Sequence, residues 1–366
     1  EVLAGAVRAL DSDDVVDILE DLEAPQQGII LDALDRADRV AVEQALAYPE
    51  HSAGRLMQRE VVTAPLHWTV GEAIDALRGA AHLPDQFYHV ILVDPLMRPR
   101  AYVTLGRMLS ARRETALGAI TEDSFRTIPA TTPEGDVAYA FNQYHLISCP
   151  VVDEAGRLVG VITIDDAMSV LDEEHEEDML RLAGVDEDSS IADGVWATAR
   201  RRMPWLGVNL VTANLSALVI TQFEGTIAAL VALAALMPIV ASMGGNAGTQ
   251  SLTVAVRALA TRDLTGSNAW RVVRREAAVG VLNGLAFAAV MGLVAWGGYG
   301  SAMLGAVIGL AMVLNLLVAA LAGVLIPLAL SRIGADPALA SGTFVTTLTD
   351  VIGFFVFLGL ATWILI

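Results

Sequence analysis

The sequence contains no lysine, a single cysteine (Cys149) and, over residues 203–366, only eleven charged side chains. The missing lysine is replaced throughout by arginine, a compositional bias with no functional content of its own. One cysteine excludes an internal disulfide and suits a reducing compartment for the half that holds it. The apolar part has no histidine pair at metal-ligand spacing, no nucleophile beside a base and no phosphate loop, so a membrane enzyme with a regulatory part stands only as a distant alternative. No signal peptide is visible, and a chain that opens on Glu1 reads as a fragment lacking N-terminal residues.

What charge there is lies on one side. Residues 1–202 carry 37 acidic and 17 arginine side chains, a net of −20, whereas residues 203–366 carry 5 acidic and 6 arginine, a net of +1. So acidic a chain predicts no nucleic-acid partner. The apolar half is long enough for five spans of about 20 residues or more, near 203–222, 226–256, 277–297, 302–330 and 338–366. The arginines cluster before the first span (Arg200, Arg201, Arg202), between the second and third (Arg257, Arg262, Arg271, Arg274, Arg275) and between the fourth and fifth (Arg332). That bias places residues 1–202 in the cytosol and the C-terminus outside.

Four polar features interrupt the spans. Asp350 is the only charged residue between 337 and 366. A carboxylate at that depth is taken as functional, against the alternative of a cap or an internal pair. Thr343, Thr346, Thr347 and Asp350 share one helical face, as a pore wall requires. Pro238 and the run Gly244-Gly245-Asn246-Ala247-Gly248-Thr249-Gln250-Ser251 are poor helix chemistry and read either as a bend facing water or as a tight packing patch. Asn209, Asn214, Asn283 and Asn315 suggest interhelical hydrogen bonds, and Glu276 a local ion pair with Arg274 or Arg275.

In the acidic half, Asp11-Ser12-Asp13-Asp14 starts a helix with Val15, Ile18, Leu19 and Leu22 on one face, and Ile29, Ile30, Leu34 and Val40 suggest another. Residues 53–172 hold a repeat of roughly sixty residues (about 53–117 and 118–172) in β-α-β-β-α order. In it Thr63 matches Thr127, Pro65 matches Pro129, Thr104 matches Thr163, and Val93-Asp94 matches Val152-Asp153. This looks like a tandem CBS pair, a module that senses adenosine nucleotides or ions. Only the second unit resembles the CBS ribose pattern, with Thr163 and Asp166, which makes ATP the candidate nucleotide there. The alternative is a plain helix cap. Residues 165–193 then hold twelve acidic side chains and one arginine. That density of hard oxygen suits Mg²⁺ or Ca²⁺, although a solvated helix face has the same composition.

The order of a helical domain (1–50), the CBS pair (53–172), an acidic connecting helix (173–200) and five spans (203–366) is specific. So are Met237-Pro238, Gly244–Ser251, Arg257–Leu264 and Thr346-Thr347-Leu348-Thr349-Asp350. Together they resemble the MgtE family of bacterial magnesium channels over nearly the whole chain. The fold implied is a multidomain membrane protein with an all-α N-terminal fragment, an α/β CBS pair, a plug helix and a five-helix α transmembrane domain.

The resemblance further implies a homodimer in the bacterial inner membrane, in contact with lipid, with Mg²⁺ as the ion carried and sensed. Its pore, lined by the second and fifth spans, would include Gly245, Asn246, Thr346 and Asp350. Its Mg²⁺-sensing positions fall on Asp13, Asp17, Asp166, Glu177, Asp178 and Asp336. Ser169 departs from the Asp found in other members. The function implied is passive Mg²⁺ import closed by cytosolic Mg²⁺, with a cation-coupled exchanger as the alternative.

Overall fold

The computed structural model describes residues 10–366 apart from 11, 21, 23, 81–82, 85–86, 187–188, 190–191, 193 and 340–341, and the backbone but not the side chains of 24, 25 and 36–38. Asp11, expected in the first helix start, lies outside the described residues. The chain divides into two compact units, Glu1–Glu174 and His175–Ile366.

The first unit opens on helices α1 (Ser12–Glu20), α2 (Ala24–Ala33) and α3 (Arg36–Ala45). Val15, Val16, Leu19, Ile30, Val42 and Ala45 form their core. Ile18, Ile29 and Val40, expected on buried faces, are exposed, and Val16 takes the place expected of Ile18. The stretch that read as one second helix is two, broken at Leu34 and Asp35. The Ser12 hydroxyl donates to Glu60 Oε2 (2.8 Å) and accepts from the Arg59 amide (2.9 Å), which ties α1 to the segment before the first strand.

A short helix α4 (Ala53–Leu56) leads into two copies of one pattern. The first copy is β1 (Thr63–Pro65), α5 (Val70–Gly79), β2 (His89–Val93), β3 (Pro99–Thr104) and α6 (Leu105–Ser110). The second is β4 (Ile128–Pro129), α7 (Glu134–Tyr144), β5 (Ser148–Val152), β6 (Leu158–Thr163) and α8 (Ile164–Leu182). Each sheet has its first strand parallel and its last antiparallel to the middle one, with a register shift at the same place, Leu92/Val93 and Val151/Val152. The repeated Val-Asp has a local cause. Asp94 Oδ1 accepts from the amides of Leu96 and Arg98, and Asp153 Oδ1 from those of Ala155 and Arg157, closing identical turns.

The copies exchange their leading segments. Ala53 and Met57 pack in the core of the second copy, where Gln58 also pairs with Val161. Leu117 packs in the core of the first. The boundary expected at 53 therefore cuts across packing, whereas Leu117 lies on the side that the boundary expected at 118 gives it.

The second unit holds α9 (Val195–Thr221), the short α10 (Glu224–Ala229), α11 (Ala232–Ala260), α12 (Ala269–Tyr299), α13 (Ala302–Arg332) and α14 (Gly342–Leu365). Four of these, α9, α12, α13 and α14, are long and apolar enough to cross a membrane. The fifth long helix, α11, falls short because of its small and polar run, so the expected five spans stand as four by composition plus α11. The run does not bend α11 into a loop. The helix is continuous through Pro238 and residues 244–251, and its glycines face other helices.

The connecting segment is not one helix over 173–200. α8 continues unbroken out of the second copy and stops at Leu182, where Gly184 adopts φ +69°. The Gly184 amide reaches Arg181 O and the Val185 amide Leu180 O (2.9 Å each), which closes the helix end in a Schellman motif.

α13 is the helix the others pack on, and close approach explains its small residues. A Cβ on Gly323 would stand 2.6 Å from Gly248 O and 2.7 Å from Ser251 Cβ of α11, and one on Gly280 of α12 would stand 2.9 Å from Leu316 O. Gly323→Val should therefore destabilise the membrane unit by about 1–3 kcal/mol or more. Gly297→Val, at a position with nothing within 4 Å, should leave it unchanged. Thermal unfolding of the purified variants checks this, and equal midpoints would refute the packing argument.

Candidate functional site

Chemistry-bearing residues gather in three places. The first lies within the N-terminal unit. Asp13 and Asp17 on α1 and Asp166 on α8 line one cavity of about 140 Å³, together with Asp14, Glu20, Glu134, Ser169 and Glu173. An acidic N-terminal turn is the usual sequence for a helix start. Here two such turns, Asp13-Asp14 of α1 and Asp165-Asp166 of α8, are brought to one cavity.

Burial first, and the Asp166 charge second, push Asp13 up to about 8, and its Oδ1 is buried without a hydrogen-bond partner among the described residues. Burial also raises Asp166, against the hydrogen bond it accepts from Thr163 Oγ1 (2.5 Å). Arg55 on the rim is already paired with Glu20. Ser169, noted in the sequence as a departure from the resembled pattern, lines the same cavity, with Glu173 one turn further along α8. Glu173, Glu134 and Asp14 were not legible as site residues, because nothing local marks a solvated acid as facing a cavity.

Thr163 and Asp166 bond to each other, as a capping pair does, and Thr163 faces a different and much smaller cleft of about 20 Å³, beside Tyr88, His89 and Ser148. As it stands that cleft has no room for a nucleoside. A nucleotide there would have to open it and compete for Thr163.

The second place is the end of α8 within the membrane unit. Arg181 bridges Asp336 Oδ2 (2.6 Å) and Glu177 Oε2 (3.0 Å). Leu182 packs with Leu252, Val256, Ala338 and Val345. Asp336 Oδ1 accepts from the Ala338 amide (2.8 Å), starting the 3-10 turn Pro337–Leu339. Half-buried Asp178 is raised first by burial and then by Asp336. Thus Glu177, Asp178 and Asp336 are brought together. Arg181 is the residue missed, since its partner lies 155 positions away.

The third place is the α11–α14 contact. A Cβ on Gly245 would touch Thr346 Cγ2 at 3.0 Å, and one on Gly248 would meet Val345 at 2.5 Å. Gly244 and Gly353 both lie against Asn315 of α13, fully buried, whose Nδ2 donates to Val240 O (2.9 Å). Asn315 is the interhelical bond expected of the four span asparagines. Asn214 instead donates to Leu210 O of its own helix.

Asp350 is half-buried one turn beyond Thr346, and Asn246 is exposed. The hydroxyls of Thr346, Thr347 and Thr349 donate to carbonyls of their own helix (2.6–3.1 Å), so what they offer a cation is oxygen lone pairs. Glu276 forms no ion pair with its neighbouring arginines among the described residues. It accepts from Ser251 Oγ across to α11 (3.0 Å).

Among the described residues no three acids, histidines or cysteines converge into a ready metal cage. A cation at any of these places would keep much of its water, as Mg²⁺ does.

Three segments match known families: 237–360 the MgtE divalent cation transporter, 1–51 the MgtE intracellular N domain and 117–173 the CBS domain. The magnesium transporter MgtE of Thermus thermophilus is 34% identical over 359 residues, covering 96% of this chain and 79% of that protein. Its namesake in Bacillus subtilis is 29% identical over 357 residues, covering 98% and 79%. A solved structure of the cytosolic domain of the Mg²⁺ channel MgtE in complex with ATP is 32% identical, covers 46% of this chain and 69% of that one, and has a TM-score of 0.44.

Asp13 generates a pH prediction. Folded, it holds its proton to about 8, whereas the unfolded chain releases it near 3.8. Its contribution to stability must therefore fall as pH rises from about 4 to about 8. In chelator, Asp13→Asn should flatten that slope and raise the thermal midpoint at pH 8. Parallel slopes for parent and variant would show that Asp13 is not the titrating group.

Proposed function

The chain belongs to the MgtE family of divalent cation transporters, and from that premise we propose that it conducts Mg²⁺ down its electrochemical gradient and is closed by Mg²⁺ on its acidic side. The observation that carries the regulatory part is the Asp178–Asp336 pair. Asp336 lies near enough to the end of α8 to disfavour the Asp178 charge, and it is held there by the Ala338 amide and by Arg181. With Asp13 and Asp166, this makes two sites on residues of one helix, α8, where a cation relieves repulsion that otherwise favours separation.

Mg²⁺ would bind the docked arrangement better than the separated one. By linkage it then shifts the population towards the docked, closed form, and several ions favouring the same state make closure steep. When Mg²⁺ is scarce the carboxylates part and the α11–α14 path opens. In the path, Asp350 supplies the charge, and the lone pairs of the threonines with the Asn246 amide supply outer contacts to an ion that keeps its inner waters. A homodimer would set two Asp350 carboxylates about one axis, with residues 1–202 cytosolic and the C-terminus outside. No covalent step is assigned to any residue. ATP bound beside Thr163 would compete for the group that holds Asp166 and so change the Mg²⁺ needed for closure, which calorimetry with ATP reads directly.

Asp350→Asn keeps the side-chain shape and removes the charge. It should cut Mg²⁺ current through purified protein in a bilayer by about tenfold or more, the equivalent of ~1.4 kcal/mol. Normal current would remove Asp350 from conduction, and current that needs a Na⁺ or proton gradient would replace the channel by an exchanger.

Glu177→Gln with Asp178→Asn removes both the repulsion and the ion's ligands at this contact, so closure should lose much of its dependence on Mg²⁺. Arg181→Gln, which removes the built-in cation between Glu177 and Asp336, should raise the Mg²⁺ needed for closure. The readouts are current and Mg²⁺ protection of the acidic half from protease. Unchanged midpoints in both variants would reduce the acidic segment to a solvated face.

A further inference from the structure

The membrane unit contains a cavity on the side of α11 away from α14. Its volume is about 170 Å³, and it lies between α11, α12 and α13. Gly280 forms part of its wall, where α12 lies against Leu316 and Ala320 of α13. Four polar side chains line it: Gln250 and Ser251 from α11, and Glu276 and Asn283 from α12. The rest of the lining is apolar.

Three observations set this cavity apart from a packing defect. Glu276 lies two turns inside α12 and is half-buried, and among the described residues the only bond it accepts is the one from Ser251 Oγ at 3.0 Å, which leaves most of its lone pairs unused. Gln250 on α11 and Asn283 on α12 are exposed residues whose side-chain amides have no hydrogen-bond partner among the described residues, and α12 is a helix apolar enough to cross a membrane. Polar groups in such helices are costly unless a partner meets them. Finally, the volume has room for several waters.

The pore-side residues of α11 are on a different face. Gly245 and Gly248 meet Thr346 and Val345 of α14, while Ser251 meets Glu276 of α12.

We propose that this cavity is a second cation site within the membrane unit, separate from Asp350, which holds a hydrated Mg²⁺ ion with Glu276 as its only charge and Ser251, Gln250 and Asn283 as neutral oxygen partners. One carboxylate and three neutral oxygens are too few to strip a divalent ion. They match an ion that keeps most of its own water and is gripped through it. An ion there would join α11 to α12, helices that otherwise meet chiefly through α13. The inference rests on α12 and α13 crossing the membrane and not on the direction or gating of flux.

The test uses dicyclohexylcarbodiimide, an apolar reagent that modifies carboxyl groups within membranes. The full chain carrying Asp350→Asn, reconstituted in lipid vesicles, leaves Glu276 as the carboxylate of interest in α11–α14, and mass spectrometry of the tryptic peptide that begins at Glu276 reads its modification. Glu276 should be labelled in chelator and protected by millimolar Mg²⁺. Ser251→Ala and Asn283→Leu, read separately, should each raise the protecting Mg²⁺ concentration about tenfold while labelling in chelator persists.

No protection by Mg²⁺ would overturn the site, as would protection unmoved by both variants. Protection by Na⁺ and not by Mg²⁺ would overturn the divalent assignment. Because the assay is done without a working pore carboxylate, its failure leaves the conduction role of Asp350 untouched.

Discussion

A carboxylate partly withdrawn from water has to keep a proton, find a donor or find a cation, and much of this chain is organised around that choice. Asp13 keeps a proton, because burial and Asp166 both disfavour its charge. Asp166 takes the Thr163 hydroxyl. Asp336 takes Arg181 on one oxygen and the Ala338 amide on the other. Glu276 takes the Ser251 hydroxyl. None of these solutions is complete, and each leaves lone pairs that a hydrated divalent ion could use. Sensitivity to such an ion then needs no dedicated cage. It needs carboxylates that packing holds closer together than bare charge would choose.

Helix packing supplies that constraint in the membrane unit. α13 is uniform in hydropathy, and its specificity lies in small residues that admit the backbones of α11 and α12: Gly305 against Gly292, Gly309 against Ala288, and Gly323 against Gly248. The glycine run of α11 reads in sequence as either a bend or a packing patch, and the structure takes the second course. Those glycines place α11 against Thr346 and Val345 on one side and Asn315 on another, so the helix stays regular while its two remaining faces carry polar groups.

Local patterns were legible where the chemistry is local. The repeated Val-Asp marked the two copies in the sequence, and the match has a local cause, since each aspartate bonds amides two and four residues on. The end of α8 at Leu182 was not read, since the acidic run suggested one helix over 173–200, although Gly184, with φ +69°, is the local cause of the stop. The exchange of leading segments was not legible either, since Ala53 looks the same in either core. Nor were Arg181–Asp336 or Ser251–Glu276, which join residues far apart in sequence. Glu276 shows the difficulty well. Two adjacent arginines suggested a local pair, yet on a helix neighbouring side chains point about 100° apart, and its carboxylate is turned towards α11.

α8 gathers the consequences. Its first turns carry Asp166 and Ser169, on the cavity shared with α1, and its last turns carry Glu177, Asp178 and Arg181, which meet Asp336. The helix has 19 residues and so extends about 28 Å. Arg181 already does at the second set what a cation would do at the first. It neutralises two acids from different elements and holds the end of α8 in place, and it also lowers Asp178, but burial and Asp336 together still leave Asp178 raised. A divalent ion beside Asp178 and Asp336 would therefore add to a contact that Arg181 already makes instead of building one from nothing.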